Sequence, residues 1–351
     1  MDAGPRPSGA EAHMALFSRS KTRHTDADTG REVDIDPVII DLVGHAHLEL
    51  IPTPKAHLQF VHLPASSIVS VTASPVKDLQ ATLDIASELI DLGHTVIPHL
   101  AARMVEGPDH VARIASWFND HGVRDALVVG GDAPEPHGPY HDAAALMRAL
   151  LDSNANLSRI GFGGYPDGHA SIPTDALQAA LMDKQQLLVD AGVKGWVSTQ
   201  MCFDTKTVTR WLTECRAEGL HLPLHLGLPG VIDTTKLLTM GVKLGVGASL
   251  RYLRKNRAVV SRLAAPGGYD PMDMLAPMAR QLDSLNISAL HVFTFNQVAN
   301  TVAWQLAVGG GATFLDNTAL DRSAGVDTSA GIHTSTGIHT SRGVVQHGLS
   351  V

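Results

Sequence analysis

Glu49 is the residue whose type and surroundings point most directly to chemistry. It stands inside the apolar run LELIP at residues 48–52. Removing a carboxyl group from water disfavours its charged form, so a carboxyl group in such a run suits general-acid catalysis near neutral pH. The alternative interpretation is a structural ion pair inside the protein. We therefore expect Glu49 to be either a catalytic acid or a buried salt-bridge partner.

Other polar residues stand where apolar runs end. Asp132 follows Gly130 and Gly131, a bend that lets the backbone approach a ligand closely, although an aspartate there is also typical of a helix N-cap. Gln200 ends another apolar run, and a buried amide needs partners that a planar heterocycle or the protein core would supply. The remaining candidates at such ends are Thr72, His99, Tyr165, His169, His225, Thr294 and Asn296.

Eight apolar runs with β-type composition position these residues. They cover residues 47–51, 67–73, 95–100, 126–130, 159–164, 195–200, 222–227 and 289–295. Segments with helical spacing of apolar residues separate most of them. Several of these segments end in a glycine suited to the left-handed position after a helix, namely Gly93, Gly122, Gly192 and Gly219. Nearly continuous apolar runs are typical of parallel strands that are buried on both faces.

The alternation of strands and helices predicts a single α/β domain, a (β/α)8 TIM barrel, over residues 34–308. A doubly wound open sheet is the competing architecture. In a barrel, the residues that follow the strands converge at one end, so the polar candidates are expected to meet there. The first barrel helix, near residues 54–60, is weak, and residues 236–263 are long enough for extra helices. Residues 1–33 and 309–351 are predicted to be a disordered leader and tail.

Composition excludes several classes of protein. The 351 residues carry 27 Lys and Arg against 35 Asp and Glu, a net charge of −8, whereas a nucleic-acid binder normally gathers basic residues on one face. No run approaches about 18 consecutive apolar residues, and residues 1–31 lack the apolar core of a secretory signal. Two cysteines fit a reducing compartment. We expect a cytoplasmic protein with a small-molecule partner, without nucleic-acid or membrane partners, as a monomer or a homo-oligomer.

Taken in order, short motifs at the strand ends resemble those of the methylenetetrahydrofolate reductase family. They are LELIP at 48–52, VSVT at 69–72, PHL at 98–100, GD at 131–132, GYPDGH at 164–169, DAG at 190–192, TQMCFD at 199–204 and HVFTFN at 291–296. Each motif alone is common. The order of all eight, distributed over the strands of one barrel, is what carries the resemblance.

The resemblance implies reduction of 5,10-methylenetetrahydrofolate to 5-methyltetrahydrofolate. In this family the glutamate matching Glu49 is the general acid that protonates the folate nitrogen, so that the five-membered ring opens to an iminium. The residues matching Asp132 and Gln200 bind the pterin or tune the redox centre beside it. The remaining matched positions line the flavin cofactor, namely Thr72, His99, Gly131, Tyr165 and His169.

One part of the family pattern is not matched. Members of the family usually carry a large residue at the position where this chain has Gly130. They also carry basic residues that hold the diphosphate of FAD, and at the corresponding positions this chain has Leu187 and Leu188. On that helix Asp183 and Lys184 remain as polar candidates. A leucine cannot pair with a diphosphate, for which a charge-assisted contact is among the stronger interactions. FAD is therefore expected to be either absent or bound differently. The forms TQMCFD at 199–204 and LGLPG at 226–230 resemble those of a divergent actinobacterial branch in which NADH or NADPH gives hydride directly to the folate.

Two alternatives use the same residues in other ways. The sequence His45-Ala46-His47 near strand 1, with histidines on later strands, resembles the ligand sets of metal-dependent hydrolases built on TIM barrels. Against this, the eighth strand carries Asn296 where a catalytic aspartate is expected, and we predict no metal site. The other alternative is a folate- or flavin-binding barrel without catalysis or with a different reaction. Such a barrel would have little reason to keep an acid at position 49.

Overall fold

A computed structural model of the chain describes residues 23–25, 32–74, 77–232 and 269–309. The predicted disordered leader and tail lie almost entirely outside these ranges, as do the extra helices predicted for residues 236–263. The boundaries of the predicted barrel domain, at residues 34 and 308, stay predictions. No helix in the described ranges is long and apolar enough to cross a membrane.

Eight parallel strands form a closed barrel, which confirms the predicted TIM-barrel fold and excludes the open sheet. The strands are β1 (His47–Leu50), β2 (Ile68–Val71), β3 (Thr95–Ala101), β4 (Asp125–Val129), β5 (Arg159–Gly164), β6 (Lys194–Thr199), β7 (Leu224–Pro229) and β8 (Ile287–Phe293). Each strand pairs with the next in the chain, and β8 pairs with β1 to close the barrel. A short antiparallel pair, Arg23–Thr25 with Glu32–Asp34, precedes the barrel.

The described helices surround this sheet. They are α1 (Pro37–Gly44), α2 (Leu79–Asp91), α3 (Pro108–Asp120), α4 (Ala143–Leu151), α5 (Thr174–Ala191), α6 (Thr205–Ala217), α7 (Met272–Met278) and α8 (Val298–Val308). Aspartate side chains accept backbone N–H hydrogen bonds at the starts of α1, α2, α4 and α6, as expected of N-cap residues. Gly93, Gly122, Gly192 and Gly219 adopt positive φ after helices α2, α3, α5 and α6, as the sequence predicts.

The weak first helix is a 3-10 helix, Ala56–His62, rather than an α-helix. Leu63 follows it and precedes Pro64, and a residue before proline is disfavoured in the helical region. The segment has no room to extend before β2 begins at Ile68. The barrel interior is also unusual, because its strands direct histidines, a tryptophan and an ion pair inward, although branched aliphatic residues dominate most such interiors. His47, His99, His225 and His291 are all buried.

Candidate active site

A buried carboxyl–imidazole pair lies where β1 and β8 close the barrel. The Oε2 atom of Glu49 lies 2.9 Å from the Nε2 atom of His291, and the two side chains are only 9% and 3% exposed. Glu49 and His291 are therefore placed to share a proton away from bulk water. The pair combines both interpretations made from the sequence, since Glu49 is an acidic residue with a buried partner and also lines a cavity.

That cavity, of about 150 Å³, lies at the carboxyl ends of the strands. Of the residues predicted from the sequence, the structure brings together Glu49, His99, Tyr165 and Gln200 along its wall. Gln200 accepts a hydrogen bond from the backbone N–H of Met201 through Oε1, while its amide nitrogen has no partner among the described residues. A carboxyl group and an amide group thus line one small cavity, as recognition of a polar heterocycle requires.

His99 lines this cavity and has a buried, unsatisfied ring nitrogen. Its side chain is 6% exposed, and Nε2 has no hydrogen-bond partner in the described part of the chain. Burial, together with the nearby His291, lowers the pKa of His99 well below its ordinary value, so its imidazole is neutral. A buried nitrogen of this kind costs free energy unless a ligand satisfies it.

The other predicted site residues do not line the cavity. Asp132 and His169 are exposed, and the ring of His169 lies 5.4 Å from that of Tyr165 in an edge-on arrangement. Burial, with a smaller contribution from the charge of Asp132, raises the pKa of Tyr165. Thr72 is half-buried and donates to the carbonyl of Ala73. These residues therefore form the rim of the site or its surroundings.

Gly131 has a backbone role. Its φ is +91°, and a Cβ atom there would lie 2.9 Å from the Cβ atom of Ala101 on β3. Only glycine adopts this conformation without strain at such a close approach. Gly131 thereby sets the direction in which Asp132 leaves β4.

The segment after β8 fastens the end of β1. The hydroxyl of Thr294 donates to the carbonyl oxygen of Glu49 at 2.5 Å. Asn296 accepts from the N–H of Ile51 and donates to the carbonyl of Ile51, both at 2.9 Å. Phe295 and Asn296 have φ values of 51° and 55°, a conformation that is costly for a bulky side chain. We call Thr294 and Asn296 the β8 clamp, because they fix the backbone at Glu49 and two residues after it, at Ile51.

The sequence analysis missed the pairing of His291 with Glu49. The sequence indicates His291 as the first residue of the HVFTFN motif and as a histidine of the metal-dependent alternative, not as a partner of Glu49. The signal was available, because a closed barrel makes its first and last strands neighbours, and every second residue of each strand faces inward. His291 lies opposite His47 and Phe293 opposite Glu49, so all four side chains share the interior.

The same cluster has ligand atoms suited to a metal ion. Atoms of Glu49, His99 and His291 lie within 4.8 Å of one another. The His45-x-His47 pair is not formed as expected, because β1 begins only at His47, and the imidazole of His45 bonds to the carbonyl of Asp41 within α1. The ligand pair on which the hydrolase alternative depended is therefore absent from these residues.

A larger crevice of about 940 Å³ adjoins the cavity and shares the wall formed by Val129, Gly163, Gly164 and Tyr165. Its wall includes parts of α5 and α6 and the ends of β4 and β5. Lys184 of α5 is buried there, and burial lowers its pKa to about 8. Its ammonium group lies 5.4 Å from the ring of Phe162 and makes no ion pair in the described structure. Lys184 thus offers a positive charge to this crevice, and the carboxylates of Asp142 and Asp183 only partly offset the effect of its burial.

Comparison with known proteins matches this barrel to one family. The family model for methylenetetrahydrofolate reductase matches residues 57–250, more than half of the chain. The chain belongs to the methylenetetrahydrofolate reductase family. The matched range begins after Glu49 and ends before His291, so the acid pair lies outside it.

Curated members of the family are distant relatives. Methylenetetrahydrofolate reductase 2 of Saccharomyces cerevisiae is 24% identical over 199 residues, which cover 50% of this chain and 30% of the relative. The Arabidopsis thaliana protein named methylenetetrahydrofolate reductase (NADH) 1 is 21% identical, covering 69% and 42%. The 5,10-methylenetetrahydrofolate reductase of Escherichia coli is 27% identical, covering 41% and 45%. The chain thus spans less than half the length of each of these relatives.

The crevice does not fit the flavin contacts that family membership implies. Leu188 is 1% exposed and packs toward Gly195, where an added Cβ would lie 2.2 Å from Cδ1 of Leu188. Neither Leu187 nor Leu188 lines the crevice, whose cationic wall residues are Lys184 and Arg210. A single buried ammonium on α5 replaces the basic residues expected to hold the diphosphate of FAD. The α5 helix of this family member therefore lacks the expected diphosphate-binding set.

Proposed function

We propose that the chain reduces 5,10-methylenetetrahydrofolate to 5-methyltetrahydrofolate with hydride from NADH or NADPH. The observation that carries this proposal is the buried carboxyl group of Glu49, which faces a cavity with Gln200, Tyr165 and His99 in a member of this family. The proposed setting is the cytoplasm, which agrees with the two free buried cysteines, Cys202 and Cys215.

The proposed reaction needs one proton and one hydride. Glu49 gives its proton to the bridging folate nitrogen, and the bond between that nitrogen and the methylene carbon breaks to leave an iminium. The hydride of the dihydronicotinamide adds to the methylene carbon, so that the methylene group becomes a methyl group and NAD(P)⁺ is released. Glu49 then regains a proton. A carboxyl group kept from bulk water is suited to this step, because it gives its proton to the substrate rather than to solvent.

The other residues of the site support binding. Gln200 and Asp132 are proposed to hydrogen-bond the pterin, Gln200 from the cavity wall and Asp132 from the rim. The proposed contacts of the nicotinamide cofactor are Thr72, His99, Gly131, Tyr165 and His169. Lys184 is proposed to contact its diphosphate, because this ammonium is buried beside the crevice and makes no ion pair within the described residues.

We further propose that hydride passes directly from the nicotinamide to the folate. Support comes from the diphosphate-binding positions on α5, where Leu188 is packed into the core. The test is a visible absorption spectrum of the purified full chain together with an assay of NADH and NADPH oxidation in the presence of methylenetetrahydrofolate. The expected result is folate-dependent oxidation by protein that has no flavin absorbance and gains no activity from added FAD.

Each alternative gives a different result in this assay. Stoichiometric bound flavin, or activity only after FAD is added, would contradict direct transfer but not the reductase activity. Folate binding without oxidation of either nucleotide would identify a non-catalytic barrel. Loss of activity with a strong chelator, restored by a divalent metal, would favour the metal-dependent alternative, for which Glu49, His99 and His291 are close enough to serve as ligands.

A further inference from the structure

His291 is placed to control how the Glu49 carboxyl group is presented. The two residues come from adjacent strands, β8 and β1, and their side chains meet inside the barrel at 2.9 Å. The second carboxyl oxygen of Glu49 has no hydrogen-bond partner among the described residues, and Glu49 lines the cavity. One oxygen of the carboxyl group is thus held by protein, and the other is left for a ligand.

The imidazole of His291 is itself held by rings on two sides. Its ring centroid lies 5.0 Å from that of Phe293 and 5.5 Å from that of His99. Both neighbours are buried. A ring confined in this way has few alternative rotamers, so the direction of its Nε2 atom is fixed by packing.

Two further buried imidazoles share this interior but are held by other rings. The ring of His225 lies 4.7 Å from that of His47 in an edge-on arrangement and 5.0 Å from that of Trp196 in a stacked one. Among the described residues, the side-chain hydrogen bond to the Glu49 carboxyl group therefore comes from His291 and not from these imidazoles.

From this geometry we propose that His291 is a positioning residue for the general acid: it binds one oxygen of Glu49 so that the other faces the folate nitrogen. This inference rests on the proposed reductase function. The β8 clamp contributes to the same end, because Thr294 and Asn296 hold the backbone at Glu49 and Ile51. Residues of β8 and of the segment that follows it then hold both the side chain and the backbone of Glu49.

Kinetics of three variants test the proposal in the full chain. His291→Leu removes the hydrogen bond, whereas His291→Gln keeps a donor close to the position of Nε2. His225→Leu is the matched control, since it removes a buried imidazole from β7 that has no contact with Glu49. We expect His291→Leu to lower kcat by about ten- to a hundredfold, the worth of one buried hydrogen bond to an acid, with a change of less than about threefold in KM for the folate. His291→Gln should recover at least half of that loss on a logarithmic scale.

A second measurement remains informative if activity is too low to follow. The carboxyl C=O stretch of Glu49 is isolated as the infrared difference between a protein and the same protein with Glu49→Gln. This band should shift in His291→Leu and stay unchanged in His225→Leu. Circular dichroism and thermal unfolding establish that each variant is folded.

Several outcomes would overturn the positioning role. They are an unchanged kcat in folded His291→Leu, an equal loss in His291→Gln, an equal loss in His225→Leu, or an infrared band that does not move. If the wild type itself lacks folate-dependent NAD(P)H oxidation, the proposed function fails instead. The infrared comparison still decides whether His291 holds the carboxyl group.

Discussion

At the scale of single residues, the site depends most on Glu49. Replacement by glutamine keeps the shape and the capacity to hydrogen-bond His291 but removes the transferable proton. We expect Glu49→Gln to lower kcat for methylenetetrahydrofolate reduction by about 10²- to 10⁴-fold, the usual contribution of general-acid catalysis. The measurement is steady-state NAD(P)H oxidation, with the unfolding midpoint as a control for the fold. Full activity in the variant would show that another group supplies the proton.

Asp132 and Gln200 should contribute less than Glu49, and differently from each other. Gln200 lines the cavity, whereas Asp132 is exposed and does not line it. We expect Gln200→Ala to weaken kcat/KM for the folate by an amount corresponding to ~1–3 kcal/mol, and Asp132→Asn to lie at or below the lower end of that range. The ranking is tested by comparing both variants at one fixed pH. A larger effect of Asp132→Asn would mean that the β4–α4 loop closes over the substrate.

The charge of Lys184 should make kcat/KM for the nicotinamide cofactor depend on pH. Because burial lowers its pKa to about 8, the ammonium is charged at pH 7 and becomes neutral as the pH rises through 8. If it contacts the cofactor diphosphate, kcat/KM for NAD(P)H should fall above about pH 8. Lys184→Met should give a lower value that no longer falls over this range. An identical pH profile in wild type and variant would exclude the contact.

Site residues can be predicted from the sequence when the pattern that marks them lies within a few neighbouring positions. They cannot be predicted in this way when their role depends on contacts between distant parts of the chain. The five residues LELIP are enough to predict that Glu49 is a buried carboxyl group, because a charged residue interrupts an apolar run. The structure confirms that Glu49 is buried. The carboxyl–imidazole pair required knowledge of which strands are neighbours. Whether Leu188 faces the core or the crevice depends on the rotation of α5, which the sequence specifies weakly because polar and apolar residues mix around that helix.

At the scale of elements, the β8 clamp links the last strand to the first. Asn296→Ala removes both hydrogen bonds to Ile51, whose N–H and carbonyl are then left without these partners. We expect a loss of ~1–3 kcal/mol in the free energy of unfolding, measured by urea denaturation. Asn300→Ala is a suitable control, since Asn300 is exposed on α8 and donates only a long bond to Gln297. Equal stability of the two variants would show that the clamp does not contribute to the fold.

Gly161 on β5 makes room for the ring of Trp196 inside the barrel. A Cβ atom on Gly161 would lie 2.2 Å from Cε2 of Trp196, so Gly161→Ala forces that ring to move. Overpacking of this kind typically costs ~1–3 kcal/mol. Gly130→Ala is the control, because a Cβ atom there meets nothing within 4 Å. The unfolding midpoint should fall for Gly161→Ala only, and a matching decrease for both would exclude the steric explanation.

Element boundaries were predictable where hydrophobic runs end at turn residues. The fifth strand, predicted at 159–164, is observed as Arg159–Gly164, and the third differs by one residue at its end. The segment after β1 was harder, because seven residues before a proline do not distinguish an α-helix from the observed 3-10 helix. Helix α1 precedes β1, and its contact with α8 through Gln305 and the carbonyl of Val43 spans 262 positions, which no local pattern reveals.

At the scale of the whole molecule, the histidine-rich interior should make stability depend on pH. The folded-state pKa values of His47, His99 and His225 lie below the ordinary value of 6.5, so the unfolded chain binds more protons than the folded one in the acidic range. Stability from these groups is therefore complete above about pH 6.5 and is lost as the pH falls below it. Three protons correspond to a slope of up to ~4 kcal/mol per pH unit.

Urea unfolding at several pH values between 7.5 and 5 measures this slope. In His225→Leu one titrating group is missing, and the slope should decrease by up to about 1.4 kcal/mol per pH unit. The ordinary carboxylates contribute mainly below this range, since their unperturbed pKa values are near 4. A stability that does not change between pH 7.5 and 5 would mean that the folded and unfolded states bind the same number of protons, which would contradict the lowered pKa values of these imidazoles.

The junction between β1 and β8 has a consequence for the order in which the protein matures. Glu49 and His291 are 242 positions apart, and in the folded barrel they meet where the last strand pairs with the first. Closing so long a loop carries a large entropic cost, which the earlier strand pairings reduce step by step. During synthesis or refolding, every other strand can be in place while the acid still lacks its partner. We therefore expect catalytic activity to recover with the slowest folding phase. Activity should report closure of the barrel more selectively than circular dichroism, which also detects the strands and helices formed earlier.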